Sequence, residues 1–221
     1  MPPALPSEVF AGERRLRALD SETLRTIPGC PAPPIVCGSW LDGEGGLGLG
    51  LPEEFRARAR VILESDGIIT GANLAYDFAC LANEEPALFP LILKAYREGR
   101  VHDVLVAQAL DAIYGGHLGL DPRKPVQSKE RYGPLSHPGT GETTNRYGLE
   151  VVCDLVLGRV DAKKHDAWKL SYGLLRGLPI ERYPAEAREY SLDDVRNPRD
   201  VALAQIIGAP GRHEWMTIPR L

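Results

Sequence analysis

The chain has 221 residues, 43% of them hydrophobic and 25% charged, with a formal net charge of −4. That length can bury one sizeable core as a single domain, and no apolar run approaches the roughly 18 residues of a membrane span. The negative charge argues against broad clamping of duplex DNA, but not against a site where carboxylates gather metal ions that then supply positive charge. The opening residues, Met1-Pro2-Pro3-Ala4-Leu5-Pro6, hold neither a basic nor an apolar signal-peptide region and read as a lead-in over residues 1–12. Cys30, Cys37, Cys80 and Cys153 are scattered, with no Cys-x-x-Cys pair and no His at zinc-ligand spacing. They read as reduced, mostly buried thiols in a reducing, cytoplasmic setting.

Residues 13–20 predict a strand that emerges into a site at Asp20, and residues 34–40 a second strand with a turn at Asp42-Gly43. The Gly-rich run 43–50 has no strand leading into it and opens no helix, so it reads as a hairpin turn with a short third strand. Phe55, Ala59, Ile62 and Leu63 fall at helical spacing over residues 52–63. Residues 68–72 form a short apolar strand, central and parallel to its partner, ending at Asn73, which can cap the helix that carries Asp77 and Phe78. A helix over 86–97, a short edge at 101–103 and a helix over 104–113 follow. Residues 115–147 read as a long loop or insertion, whose Arg123, Lys124, Lys129 and Arg131 could guide a nucleic-acid strand or simply face solvent. Helices are predicted over 148–157, 166–176 and from Pro184 past Asp194, with a kink or restart at Asn197-Pro198 before a last helix over 199–208 and a tail over 209–221. Strands early and helices late predict an α/β three-layer domain with a mixed sheet over residues 13–208.

Three short patterns carry the chemistry. Asp20 and Glu22 stand two apart, so on a strand they point to one face, and hard oxygen ligands suit Mg²⁺ or Mn²⁺. Asp77 follows Asn73 by four and shares its helix face, near the crevice beyond a central strand's carboxyl end. Tyr190 and Asp194 are again four apart. A tyrosine beside a metal-bound carboxylate can orient an attacking water, although its ordinary pKa of about 10 makes it a poor base. Each pattern has a plain structural alternative: a chance Asp-x-Glu, a capping Asn73 with a surface Asp77, an amphipathic helix with Tyr190 half buried. Asp193 points about 100° away from Asp194 around the helix and reads as a solvated carboxylate. Asp103 reads as a helix cap and His102 as structural.

Asp20-Ser21-Glu22-Thr23, Asn73 through Asp77-Phe78, and Tyr190 through Asp194, in this order, resemble the three motifs of the DEDDy 3′→5′ exonuclease superfamily, and specifically the proofreading exonuclease domain of family A DNA polymerases. The stretch Asp166-Ala167-Trp168-Lys169-Leu170-Ser171-Tyr172-Gly173, with Tyr183-Pro184-Ala185-Glu186-Ala187 after it, looks like the lead-in to the third motif. The resemblance implies a ribonuclease H-like three-layer α/β/α fold with a mixed central sheet. It implies that Asp20, Glu22, Asp77 and Asp194 hold two divalent cations, Mg²⁺ or Mn²⁺, and that Tyr190 positions the water with Glu22 helping to hold it. It places Asn73 and the backbone N–H of Thr23 against the terminal nucleotide, with Phe78 supporting the site. The implied substrate is the 3′ end of single-stranded DNA, and the implied partner is a DNA polymerase supplied as a separate chain or lying outside this sequence. An exoribonuclease of the same superfamily and an inactive exonuclease-like binding module are the alternatives.

Overall fold

The computed structural model describes residues 16–43, 46–114, 148–159, 168 and 170–207. The lead-in, the 115–147 segment with its basic residues, Asp166 and the C-terminal tail lie outside the described residues. Five strands form one sheet: β1 (Leu16–Thr23), β2 (Ile35–Leu41), β3 (Leu47–Gly50), β4 (Ile68–Gly71) and β5 (Val101–Asp103). Their order is β3-β2-β1-β4-β5, antiparallel from β3 to β1 and parallel from β1 to β5, so the sheet is mixed as the sequence predicts. β1 runs past the predicted end, and Asp20 and Glu22 lie within it.

Among the described residues there are six α-helices: α1 (Pro52–Glu64), α2 (Leu74–Glu84), α3 (Phe89–Arg97), α4 (Val104–Tyr114), α5 (Leu149–Leu157) and α6 (Ala185–Ile207). The first three cover one face of the sheet. Leu19 and Ile69 from the strands pack there on Phe55, Ile62, Leu81 and Ile92. The last three cover the other face, where Leu16 meets Val104, Val152 and Val201. Fully burying a Leu, Ile or Phe side chain contributes about 1.5–3 kcal/mol, so these two apolar layers dominate what holds the sheet between its helices. All four cysteines are free thiols, three of them buried. None of the described helices is long and apolar enough to cross a membrane.

Four sequence expectations are corrected. The helix predicted over 86–97 begins as a 3₁₀ turn, Pro86–Leu88, before α3. The helix predicted over 166–176 gives way, in the described residues 170–176, to a 3₁₀ turn at Tyr172–Leu175. Leu174 donates to the Ser171 carbonyl three residues back, and Gly177 takes a positive φ of 80°, so the chain tightens and turns away. Asn73 does not cap α2. It sits in the left-handed region with φ 67°, which Asn tolerates better than most residues, and its side chain makes no capping bond. Finally, Asn197-Pro198 does not divide the last helix, because α6 runs through Pro198 for 23 residues. Pro198 and Asn197 are buried, and Arg159 beyond α5 donates to Asn197 Oδ1 at 3.2 Å and to Asp200 Oδ2 at 2.6 Å. Packing and these bonds hold a turn that the proline alone would weaken.

The face of β2 toward α1 has no spare volume. A Cβ placed on Gly38 would stand 2.4 Å from the Phe55 ring, and that ring is itself fully buried. Gly38→Ala is expected to destabilise the protein by about 1–3 kcal/mol, read as a lower urea midpoint; an unchanged midpoint would contradict the tight packing.

Candidate metal centre

The site grows from a mismatch in strand length. β1 pairs with β4 only through Leu16, Arg17 and Ala18, while its pairing with β2 continues to Thr23. Beyond Ala18 the β4 side of β1 is vacated, and the chain leaves β4 into α2. The buried Ser21 N–H therefore needs another partner. Asp77 on α2 supplies it: its Oδ1 accepts from Ser21 N at 3.0 Å and from Ser21 Oγ at 2.5 Å. By strand alternation Ser21 points toward α2, while Asp20 and Glu22 point to the opposite face, under α6.

On that face the carboxylates converge. One oxygen each from Asp20, Glu22 and Asp194 lie within 4.8 Å of one another. Glu22 is buried, and Asp20 and Asp194 are half-buried. Three hard oxygen donors at this spacing fit Mg²⁺ or Mn²⁺ rather than a soft metal. The same three carboxylates, with Asp77, Tyr190 and Asn73, line a cavity of about 540 Å³. Thr23 lines it as well, and its Oγ1 lies 2.7 Å from the Tyr76 hydroxyl. Phe78 does not line it; its ring lies in the core, edge-on to Tyr96.

Asp77 stands beside the triad rather than within it. Its carboxyl is held well above the usual carboxylate range, first by burial and then by the Asp20 charge, with the two Ser21 bonds opposing the shift. The same acidic field reaches the surrounding side chains. Burial, and then the Glu22 and Asp20 charges, push the Cys37 thiol up. Tyr172 is pushed up by burial and by Glu22, and its ring packs 6.0 Å from that of Tyr190.

Two serines fix the elements that carry the outer carboxylates. Ser21 ties α2 to β1 as described. Ser39, the cross-strand neighbour of Asp20, donates from Oγ to the Ser191 carbonyl on α6 at 2.7 Å, between Tyr190 and Asp194 in sequence. Asp103 performs the capping the sequence predicts and adds a second task. Its Oδ1 accepts from Leu105 N at 2.9 Å, and its Oδ2 from Leu74 N at 2.8 Å, so it also starts α2 in place of Asn73. Asp193 pairs with Arg196 at 3.1 Å on the surface, and His102 meets Gln205 at 2.9 Å. Ser21, Ser39 and Tyr76 escaped the sequence reading. Alternation could have sent Ser21 to the α2 face, but nothing local marks Ser39.

Compared with models of known protein families the chain matches none, and no curated protein matches it significantly.

Asp77→Asn retains an acceptor for both Ser21 donors and removes the buried charge. Because the folded-state pKa of Asp77 is raised, its contribution is fully present below the ordinary carboxylate pKa and is lost as pH rises through the folded value. Asp77→Asn is therefore expected to raise the Tm of the protein in EDTA at neutral pH, with a gain that vanishes toward acid. A gain independent of pH would contradict the buried-charge account.

Proposed function

We propose that this chain is a metal-dependent 3′→5′ exonuclease of the DEDDy type with a ribonuclease H-like fold, removing 5′-mononucleotides from the 3′ end of single-stranded or frayed DNA. The observation that carries the reading is the convergence of Asp20, Glu22 and Asp194 oxygens within 4.8 Å, in a cavity also lined by Asp77 and Tyr190. A mixed sheet with helices on both faces supports the fold.

Asp20, Glu22 and Asp194 would hold the cations, with Asp77 completing the set from the α2 side. Bound divalent cations lower the pKa of water and offset charge on phosphoryl oxygens. Tyr190, whose hydroxyl-bearing side chain enters the same cavity, orients the attacking water without serving as the base. Asn73, whose side chain is not spent on capping α2, and the Thr23 backbone face the terminal nucleotide. Ser39 keeps the α6 turn that bears Tyr190 and Asp194 seated on the sheet.

The test measures 3′-end degradation of a labelled single strand in Mg²⁺ or Mn²⁺, with a matched RNA strand alongside. Asp20→Ala is expected to reduce cleavage by at least about 100-fold, since a metal-centred electrostatic contribution of a few kcal/mol is removed. Equal nuclease activity in wild type and Asp20→Ala would sink the assignment, and faster cleavage of the RNA would replace the DNA reading with the ribonuclease one. Tyr190→Phe is expected to lower kcat by about tenfold or more while leaving the metal concentration for half-maximal activity unchanged; weakened metal binding would contradict the water-orienting role.

A further inference from the structure

The lining of the cavity is one-sided in charge. Among the described residues it carries five carboxylates, Asp20, Glu22, Asp77, Glu150 and Asp194, and a single base, Arg25. Arg25 stands two residues past the end of β1, at the mouth of the cavity, and is exposed. Every salt bridge among the described residues is made by other arginines and lysines, so this guanidinium keeps its donors for something else. The backbone beneath it is fixed on both sides. Thr23 Oγ1 lies 2.7 Å from the Tyr76 hydroxyl, Leu24 N donates to the Pro34 carbonyl at 2.9 Å, and Cys30 N closes the loop onto the Ile27 carbonyl at 3.0 Å. A cation on an anchored loop is presented at a set place, which lowers the ordering cost of using it.

We propose that Arg25 is the phosphate contact that holds the polynucleotide strand at the mouth of the cavity, beyond the linkage being cut. This deepens the exonuclease reading and rests on it. Cations bound by the carboxylates can neutralise only the phosphate they touch. Among the described residues the lining offers the next phosphate along the strand no cationic side chain other than Arg25. An arginine fork matches a phosphate in two hydrogen bonds and reads no base, in keeping with a strand processed without regard to sequence. The site thereby prefers substrates with at least two phosphates, an oligonucleotide over a single nucleotide ester.

The experiment compares wild type, Arg25→Ala and Arg25→Lys on two substrates in Mg²⁺: a labelled single-stranded oligodeoxynucleotide, and the p-nitrophenyl ester of thymidine 5′-phosphate, which has one phosphodiester only. Arg25→Ala is expected to raise KM for the oligonucleotide about fivefold to tenfold with kcat little changed, as befits one partly exposed charge-assisted contact. The salt dependence of its kcat/KM should weaken by about one unit of log–log slope. The effect on the ester should be several times smaller, and Arg25→Lys should restore the slope and part of the KM. An oligonucleotide KM and salt slope that do not move, or an ester that falls in parallel, would overturn the proposal. Fluorescence anisotropy of the same oligonucleotide in Ca²⁺ separates the two readings. Binding that depends on Arg25 in a protein that cuts neither substrate would overturn the exonuclease reading and support the contact; cleavage and binding indifferent to Arg25 would do the reverse.

Discussion

β4 stops short of the end of β1, and the site follows from that difference in length. A central strand of a parallel arrangement ordinarily has both edges occupied. Here Asp20 to Thr23 are paired on the β2 side alone. The vacated edge does three things. It opens the crevice, it leaves the Ser21 N–H in need of an acceptor, and it lets the start of α2 approach closely enough for Asp77 to become that acceptor. Asp77 thus stands where a strand backbone would have been, which explains both its burial and its raised pKa.

The second constraint is electrostatic. Carboxylate oxygens within 4.8 Å repel by roughly 3 kcal/mol per pair at an effective dielectric near 20. A single hydrogen bond contributes about 1 kcal/mol net, so no one bond in the site can hold the cluster together. Whole elements do so instead. β1 is fixed by the sheet. α6 is fixed along its length, by Ser39 in its N-terminal third, by Arg159 at its proline, and by Val201 and Ala202 in the core shared with α4 and α5. The proline that would weaken an isolated helix is tolerated because the turn around it is buried and cross-linked.

Among the described residues, the lining of the resulting cavity holds five carboxylates and one basic side chain, Arg25. Under the proposed exonuclease reading, such a distribution would suit a polyanion neutralised by metal at the reacting phosphate and gripped by protein at the next. It would also reconcile a chain of net charge −4 with the nucleic-acid substrate proposed above, because local placement rather than overall charge governs such a contact.

The strands, most of the helices and the alternation of Asp20 and Glu22 were legible in the sequence, because each depends on residues a few positions apart. Period-two and period-3.6 patterns report which face of an element is apolar, and that sufficed for the α/β class, for β4 between parallel neighbours, and for Asp103 as a cap. The resemblance of three motifs put Asp20, Glu22, Asp77, Tyr190 and Asp194 in one site, and all five line one cavity. What the sequence could not contain was their relation. The Ser21–Asp77 bonds link residues 56 apart and the Ser39–Ser191 bond residues 152 apart, and no local pattern encodes such separations. The same limit explains the corrections: Asn73 and Pro198 were judged by what they do to their own neighbours, whereas Asp103 had taken over the cap and α5 had secured the helix. Local residue chemistry set which groups could bind a cation, and tertiary packing alone decided which of them meet, because only burial of whole faces supplies enough free energy to bring like charges together.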